Sequence, residues 1–285
     1  MPELPEVETI RQDLRQKILN TKIVQVKVLR EKAVRSSTFS LPKNLTGKMF
    51  SEVERVGKLL MLKVGERYLL IHLKMTGQLI YIKHNKIIAG GHSFPALNTQ
   101  LPDKHTQIII TFKDGGILYF NDMRRFGYAR LVTAAEKEKI AATYGIEPLT
   151  SSFTYQKFSE VLNQKKTILK ALLLNQAYFA GIGNIYADEI CHEARVLPNR
   201  RANTLTEAET KKFYNATKKI LTKAVRYRGT TFNNYLDGEG KKGNFVSFLK
   251  VYNRDGLKCK TCKKSLIHKK TLAGRGTHYC PVCQR

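Results

Sequence analysis

The chain opens with Met1-Pro2-Glu3-Leu4-Pro5-Glu6, which predicts the start of the first helix and carries unusual chemistry. Pro5 followed by Glu6 is typical of a first helical turn, where proline is tolerated and an acid faces the positive end of the helix dipole. If Met1 is removed, the ring nitrogen of Pro2 becomes a secondary amine that can attack an electrophilic carbon and form an iminium. Glu3 and Glu6 are near enough in sequence to serve as an acid or a proton relay. The alternative is that Pro2 only permits methionine removal.

The charge balance indicates a polyanionic partner. The 285 residues include 50 Lys and Arg against 23 Asp and Glu, a formal net charge of +27, while 42% hydrophobic residues indicate a globular protein. This excess is most simply explained by nucleic-acid binding, although ribosomal and membrane-surface proteins share it. The sequence has no apolar run of about 18 residues and no apolar N-terminal segment of signal-peptide type. We therefore expect a cytoplasmic, nucleoid-associated protein.

The periodicity of apolar residues predicts a multidomain α+β fold. Helical spacing runs from Pro5 to about Asn20, and short runs of branched and aromatic residues from Ile23 to about Leu131 predict an antiparallel sandwich or barrel. The region from Phe153 to Arg228 has a helical pattern, and Thr206 with Glu209 predicts a capping box at its last helix. The predicted parts are an N-terminal β-domain at 1–133, a linker at 134–152, a helical domain with a connector at 153–256 and a small module at 257–285.

Two stretches lack periodicity. Residues 84–104 contain Gly90-Gly91 and two prolines, and we predict a long surface loop there. Residues 229–256 are rich in Gly, Asn and Lys, and we predict a flexible connector.

Four of the five cysteines follow the pattern Cys259-x2-Cys262-x17-Cys280-x2-Cys283. Two such knuckles are typical of one structural Zn²⁺ held by four thiolates, whereas a redox or disulfide pair fits the doubled spacing poorly. The fifth cysteine, Cys191, has no partner in this pattern and is expected to be a buried core thiol. No acidic residue occurs from Gly256 onward. This module therefore either binds nucleic acid through its cationic side chains or simply exposes them to solvent. The cations include Lys258, Lys260, Lys263, Lys264, Lys269, Lys270 and Arg275.

Two further motifs are compatible with nucleic-acid binding. Gly181-Ile182-Gly183-Asn184 opens into a helix, whose free N–H groups suit a phosphate, although such a turn can also be a tight helix connection. In Asp122-Met123-Arg124-Arg125-Phe126-Gly127, an arginine can pair with a base edge while the aromatic ring wedges between bases. Met75 lies in a similar loop and is a candidate second wedge. The alternative is that Met75 and Phe126 belong to the core.

Together these residues resemble the formamidopyrimidine-DNA glycosylase family, from Pro-Glu-Leu-Pro-Glu-Val-Glu-Thr at 2–9 to the cysteine knuckles. The resemblance implies a β-sandwich, a helix–two-turn–helix domain and a C-terminal β-hairpin zinc finger. It also implies a bifunctional glycosylase and apurinic/apyrimidinic-site (AP) lyase that removes oxidised purines from duplex DNA through a Schiff base and then cuts the strand by β,δ-elimination. The catalytic residues would be Pro2 as nucleophile, Glu3 as acid, Glu6 in support and Lys58 as the phosphate-binding, elimination-promoting lysine.

The resemblance also implies the DNA contacts. Met75, Arg124 and Phe126 would fill the gap left by the everted base, and residues 229–252 would cap that base. The full set of implied DNA-binding residues is His72, Met75, His105, Arg124, Phe126, Asn184, Tyr252 and Arg275. Two features depart from the family pattern: Met123 replaces a proline, and residues 84–104 differ in length and composition.

Two alternatives stay open at this point. An endonuclease VIII-type glycosylase would prefer oxidised pyrimidines, but Leu4 and the separate Met75, Arg124 and Phe126 argue against it. A non-catalytic, zinc-dependent DNA-binding protein is disfavoured by the intact Pro2, Glu3 and Lys58. We expect a monomer acting on damaged double-stranded DNA, without an obligate protein partner and without a cofactor beyond zinc.

Overall fold

The computed structural model describes residues 1–35, 39–84, 86–91, 101–230 and 245–285, with the backbone alone for residues 86–89. It forms two compact units. The first contains Met1–Ala142 and Tyr227–Asn244, and the second contains Thr143–Arg226 and Phe245–Arg285. Among the described residues, no helix combines the length and apolar character that crossing a membrane requires.

The first helix, α1 (Leu4–Ile18), begins at a reciprocal capping box between Glu3 and Glu6. The backbone N–H of Glu3 donates to Oε2 of Glu6 over 2.8 Å, and proline in the first turn needs no intrahelical donor. The predicted apolar face is confirmed, because its four members are all buried: Val7, Ile10, Leu14 and Ile18.

Two antiparallel sheets form the rest of this core, in the orders β1-β7-β8-β5-β6 and β2-β3-β4-β9. A single hydrophobic cluster takes side chains from both sheets and from α1, so the predicted antiparallel sandwich is confirmed. The strands are β1 (Ile23–Val28), β2 (Phe50–Val56), β3 (Leu59–Val64), β4 (Arg67–His72), β5 (Gly77–Lys83), β6 (Lys86–Gly91), β7 (Thr106–Phe112), β8 (Ile117–Asp122) and β9 (Tyr128–Thr133). The short helices α2 (Leu41–Leu45) and α3 (Ala134–Ala141) also belong to this unit.

The predicted surface loop at 84–104 is wrong for its first part, because β6 (Lys86–Gly91) pairs with β5. Gly90 lies where α1 crosses the sheet, and a Cβ at this position would overlap the side chain of Ile10. Gly90 therefore permits a close approach of helix and strand, rather than marking a loop. Residues 92–100 of the predicted loop lie outside the described residues.

The second unit contains four α-helices and a β-hairpin. Its aromatic core centres on Phe158, whose ring contacts those of Phe179 and Phe213 at centroid distances of 5.2 and 5.9 Å. The elements are α4 (Tyr155–Gln164), α5 (Leu169–Leu174), α6 (Asn184–Ala194), α7 (Glu207–Arg226), β10 (His268–Leu272) and β11 (Arg275–Tyr279).

The end of the predicted connector is packed rather than flexible. Phe245, Leu249 and Val251 are buried. The buried carboxylate of Glu189 accepts backbone N–H groups from Lys250, Val251 and Tyr252 at 2.9–3.0 Å. The prediction is therefore wrong for residues 245–256, while residues 231–244 lie outside the described residues.

The predicted capping box of α7 is confirmed, and it leads to a pH-dependent contribution to stability. Thr206 N–H donates to Glu209 Oε2 over 2.9 Å, and Glu209 N–H donates back to Thr206 Oγ1 over 3.3 Å. Two hydrogen bonds from Arg200, of 2.5 and 3.0 Å, lower the pKa of Glu209 to about 2.

We expect Glu209→Gln to lower the free energy of unfolding by about 1 kcal/mol at pH 7, allowing for solvent screening of a partly exposed pair. Because the folded pKa of Glu209 is depressed, its contribution is present above the unfolded pKa of about 4.3 and is lost as the pH falls towards 2. Chemical denaturation of the variant and of wild type at pH 7 and pH 3 measures this. Glu207→Gln, an exposed acid on the same helix, is the control. An equal loss at both pH values would contradict the assignment.

Candidate active site and metal centre

The N-terminus is surrounded by buried charged groups. Pro2 is buried, and the exposed fractions of Glu3, Glu6 and Lys58 are 3%, 6% and 5%. Lys58 lies in the two-residue turn between β2 and β3. Glu3 is the N-cap of α1, and Glu6 lies in its first turn. The structure therefore brings together the four predicted catalytic residues in the first unit.

The surroundings of the terminal amine favour its uncharged form. Burial lowers the pKa of the Met1 amino group, and the charge of Lys58 adds to this, whereas the carboxylates of Glu3 and Glu6 oppose it. In the chain as numbered, the Pro2 nitrogen is a peptide nitrogen, and removal of Met1 would convert it into the amine at this place. An amine with a lowered pKa is unprotonated, and hence nucleophilic, at a lower pH.

Glu6 is held by a segment that the sequence did not single out for this purpose. Its Oε1 accepts the backbone N–H of Thr230 over 2.7 Å and the Thr230 hydroxyl over 3.1 Å. Gly229 has a φ of +82°, and a Cβ there would lie 2.5 Å from Glu6 Oε1. Only glycine fits so close to the carboxylate. Thr230 was missed because 224 residues separate it from Glu6.

His72 is a neutral hydrogen-bond donor at the end of β4. Its Nδ1 accepts the backbone N–H of Lys74 over 3.0 Å, so the hydrogen of the neutral ring is on Nε2. Burial, with the nearby charges of Lys74, Lys58 and Arg35, lowers the pKa of His72 to about 3. The imidazole therefore stays uncharged throughout the physiological range.

The predicted wedge residues of the first unit lie on two loops joined by Asp122. Phe126 is 47% exposed, and the Arg124 guanidinium carbon lies 4.8 Å from the centre of its ring. Met75 is partly exposed in the turn before β5. The carbonyl of the partly exposed His105 accepts the N–H of Asp122 over 2.9 Å, which places His105 beside the same strand end.

In the second unit, Asn184 and Arg275 lie close together. The Asn184 side-chain amide donates to the carbonyl of Gly276 over 3.0 Å, next to the exposed Arg275 on the β10–β11 hairpin. A buried ion pair of Lys170 and Asp188 supports this contact. Lys170 Nζ donates to the Asn184 carbonyl over 3.0 Å, and Asp188 Oδ2 accepts the N–H of His278 over 2.9 Å.

Tyr252 is partly exposed in the same unit. Its ring lies edge-on to His278, with centroids 5.1 Å apart, and its backbone N–H donates to Glu189. These contacts orient the tyrosine on a packed segment rather than on a loose loop.

Four cysteine sulfurs lie within 4.8 Å of one another: Cys259, Cys262, Cys280 and Cys283. The separations of 3.8 Å between the first and last sulfurs and 3.7 Å between the middle two exceed any disulfide bond. They match the edges of a tetrahedron with metal–sulfur bonds of about 2.3 Å. The backbone N–H of Lys264 lowers the pKa of the Cys262 thiol. This cluster can hold a metal ion.

A histidine contacts this cluster from α6. Nε2 of the buried His192 lies 3.8 Å from the sulfur of Cys259. Sequence reasoning missed this residue because 67 positions separate it from Cys259.

Comparisons with known proteins cover the whole chain. The formamidopyrimidine-DNA glycosylase N-terminal domain matches residues 1–129, and the H2TH domain of the same glycosylase matches residues 144–235. The formamidopyrimidine-DNA glycosylase of Pelotomaculum thermopropionicum is 40% identical over 100% of this chain and 99% of that protein. The enzyme of that name from Listeria innocua is 37% identical, with 100% of both chains covered.

Solved structures of the Lactococcus lactis glycosylase show the same fold at 32% identity. Its complex with DNA containing an abasic site has a TM-score of 0.86, with 99% of both chains covered. A complex with DNA containing N7-benzyl-Fapy-dG has a TM-score of 0.86 over 100% of both chains. A third, with DNA containing an oxidised pyrimidine, has a TM-score of 0.85, also over 100% of both chains. Two matching domains and full-length relatives at this identity place the chain in the formamidopyrimidine-DNA glycosylase family.

Proposed function

We propose that this protein, a base-excision-repair DNA glycosylase by family, removes oxidised purines such as 8-oxoguanine and formamidopyrimidines from duplex DNA and then cuts the strand as an AP lyase. The observation that carries the proposal is the buried Pro2 at the N-terminus, where the buried Glu3, Glu6 and Lys58 act on the terminal amine. An N-terminal imine enzyme needs an uncharged amine beside a proton donor, and this arrangement supports both.

Base removal begins once Met1 has been cleaved and the damaged nucleotide has been turned out of the duplex. The Pro2 nitrogen attacks C1′ of the deoxyribose, the bond from C1′ to the base breaks, and the base leaves with a proton. Glu3 donates a proton to O4′ as the C1′–O4′ bond opens, and the nitrogen loses its own proton to give the iminium. Glu6, fixed through both carboxylate oxygens, holds the first turn of α1 in place around this centre.

Strand cleavage follows from the same covalent intermediate. The iminium acidifies the proton on C2′, and its loss expels the 3′ phosphate by β-elimination. A second elimination releases the 5′ phosphate, and water then frees Pro2 from the sugar fragment. Lys58, at the β2–β3 turn, stabilises the phosphate charge that develops during both departures.

The backbone of the DNA is held by groups on both units. In the first unit, the neutral His72 donates from Nε2 to a phosphate oxygen, and His105 contributes a second backbone contact. In the second unit, Asn184 at the start of α6 and Arg275 on the hairpin bind phosphates, and Tyr252 adds a further contact. The net charge of +27 makes this binding dependent on salt.

The gap left by the turned-out base is filled by Met75, Arg124 and Phe126. Their partial exposure on two neighbouring loops supports this role. Inserted side chains offset the few kcal/mol that unstacking costs. Residues 229–252 are proposed to cap the turned-out base, and residues 231–244 of this segment lie outside the described residues.

One Zn²⁺ would be held by Cys259, Cys262, Cys280 and Cys283. Four thiolates leave no open coordination position, so the ion would supply folding free energy to the finger and would take no part in the reaction.

We further propose that the chain divides into domains at 1–133, 153–256 and 257–285, with a linker at 134–152. We also propose that the protein is a monomer that acts on chromosomal DNA in the cytoplasm.

The lesion preference is tested by comparing single-turnover excision from duplexes carrying 8-oxoguanine and thymine glycol. We expect faster excision of the oxidised purine. Both lesions must be tested because the L. lactis relative has also been crystallised in complex with DNA that contains an oxidised pyrimidine. A clear preference for thymine glycol would instead assign the endonuclease VIII-type activity, and binding without any excision would leave a non-catalytic DNA-binding protein.

We expect Glu3→Gln to slow base excision by about 10²- to 10⁴-fold, since an amide cannot donate the required proton. DNA affinity should stay within about twofold, because the cationic surface that supplies most of the affinity is unchanged. Single-turnover excision and filter binding at fixed salt measure the two effects. Glu66→Gln, an exposed acid in the β3–β4 turn, is the matched control. Normal turnover of the Glu3 variant would show that the acid is another group.

A further inference from the structure

Asp122 is a fully buried carboxylate at the end of β8 for which the proposed chemistry has no use. It accepts hydrogen bonds from three groups on two different loops. Oδ1 accepts the Thr76 hydroxyl and, over 3.2 Å, the backbone N–H of Arg124. Oδ2 accepts the backbone N–H of Gly127 over 2.6 Å.

These hydrogen bonds close a ring between the two loops. The Thr76 hydroxyl donates to Asp122 and also accepts the N–H of Arg124 over 3.0 Å. Thr76 follows Met75 directly in the chain, and Gly127 follows Phe126. Of the three proposed wedge residues, Arg124 therefore contacts Asp122 directly, and Met75 and Phe126 are each next to a residue that does.

A carboxylate is the side chain that this position requires. Burial of an ionised group is costly unless hydrogen bonds satisfy it, and here a hydroxyl and two backbone N–H groups converge on its two oxygens. Asparagine has the same shape but one oxygen fewer, so its NH₂ group would face an N–H donor. The amide would leave at least one buried donor without its acceptor, which is unfavourable in the folded protein.

We propose that Asp122 is a positioning residue that holds the Met75 loop and the Arg124–Phe126 loop in one fixed arrangement, so that the three side chains enter the duplex as a single wedge. The inference rests on the proposed function, because it concerns how the glycosylase opens the base stack. Asp122 acts through these side chains and makes no contact with the reacting atoms.

The test compares Asp122→Asn with wild type on two substrates that differ in their need for a wedge. On a lesion duplex, we expect single-turnover excision to fall about 100-fold, as for other small displacements of positioned groups. A 2-aminopurine opposite the lesion should lose the fluorescence rise that accompanies insertion. On single-stranded DNA with a preformed abasic site, where there is no stack to open, cleavage should stay within about twofold of wild type.

Two further variants separate positioning from general damage. Asp114→Asn makes the same chemical change in the β7–β8 turn, where Asp114 pairs with Lys83, and should leave both substrates unaffected. Thr76→Ser keeps the shared hydroxyl and should retain duplex activity, whereas Thr76→Val removes it and should reproduce part of the Asp122→Asn defect.

The outcomes are distinguishable. Wild-type duplex excision by Asp122→Asn, or an equal loss on both substrates, would overturn the positioning role. If the wild-type protein cuts neither substrate, the proposed function itself is contradicted, and the role of Asp122 in that function is contradicted with it.

Discussion

Substitution of Pro2 by alanine is expected to reduce the borohydride-trapped adduct with damaged DNA by about 100-fold, the cost of misplacing a reacting group, because alanine keeps an N-terminal amine but loses the ring that orients it. The structure gives the physical reason. Burial and the charge of Lys58 lower the pKa of an amine at the N-terminus, against the opposing carboxylates of Glu3 and Glu6. The rigid pyrrolidine limits the orientations of its nitrogen just before α1 begins. An alanine amine has more freedom and forms the iminium less readily.

Two controls make this result specific to the Pro2 nitrogen. Pro5→Ala changes the proline in the first turn of α1 and should still form the adduct. A chain that retains Met1 or an N-terminal extension keeps Pro2 as a peptide nitrogen and should form none, and intact mass spectrometry establishes which form is present. Sequencing of the crosslinked peptide decides the matter, because a bond to Lys58 would assign the nucleophile to the lysine.

Loss of one cluster cysteine is expected to have the second largest effect. In Cys280→Ser the metal should be released and the β10–β11 hairpin should unfold, since apart from Val251 and Ile267 the buried cluster of the finger consists of cysteines. Metal binding contributes about 10–16 kcal/mol to comparable small modules. DNA affinity should fall about 10- to 100-fold, equivalent to about 1.4–2.8 kcal/mol.

The loss of affinity has two sources within the second unit. Arg275 would no longer be presented on a folded hairpin, and Asn184 would lose the Gly276 carbonyl that orients its side chain. Metal content and filter binding at fixed salt measure both steps. Unchanged DNA affinity after confirmed metal loss would contradict the proposed role of the finger in DNA binding.

Cys191→Ala is the matched control for this experiment. Cys191 is buried on α6 outside the cluster, and burial raises the pKa of its thiol to about 12. A thiol that stays protonated is a poor metal ligand. The variant should therefore retain its metal and its DNA affinity.

Interactions over short sequence distances were predictable. The predicted capping box of Thr206 with Glu209 spans three residues, so helix geometry alone brings the partners together. The cysteine pattern was equally informative, because two residues between thiols form a knuckle in almost any context. The predicted loop at residues 84–104 was wrong in its first part because glycine occurs both in loops and where backbones pack closely. Gly90 indicated a loop, but in the structure it allows strand β6 to pack against Ile10.

The sequence by itself determined the local elements of this protein: the start of the first helix, the short strands, the cysteine knuckles and the excess of cationic residues. All of these follow from spacings of a few residues. Only the tertiary structure decided which distant polar groups face each other, such as Glu6 and Thr230, or Asp122 and Thr76. The packing of helices and sheets determines which hydrogen-bond donors lie near a buried carboxylate. The spacing of residues along the sequence does not predict those donors when they are far away in the chain.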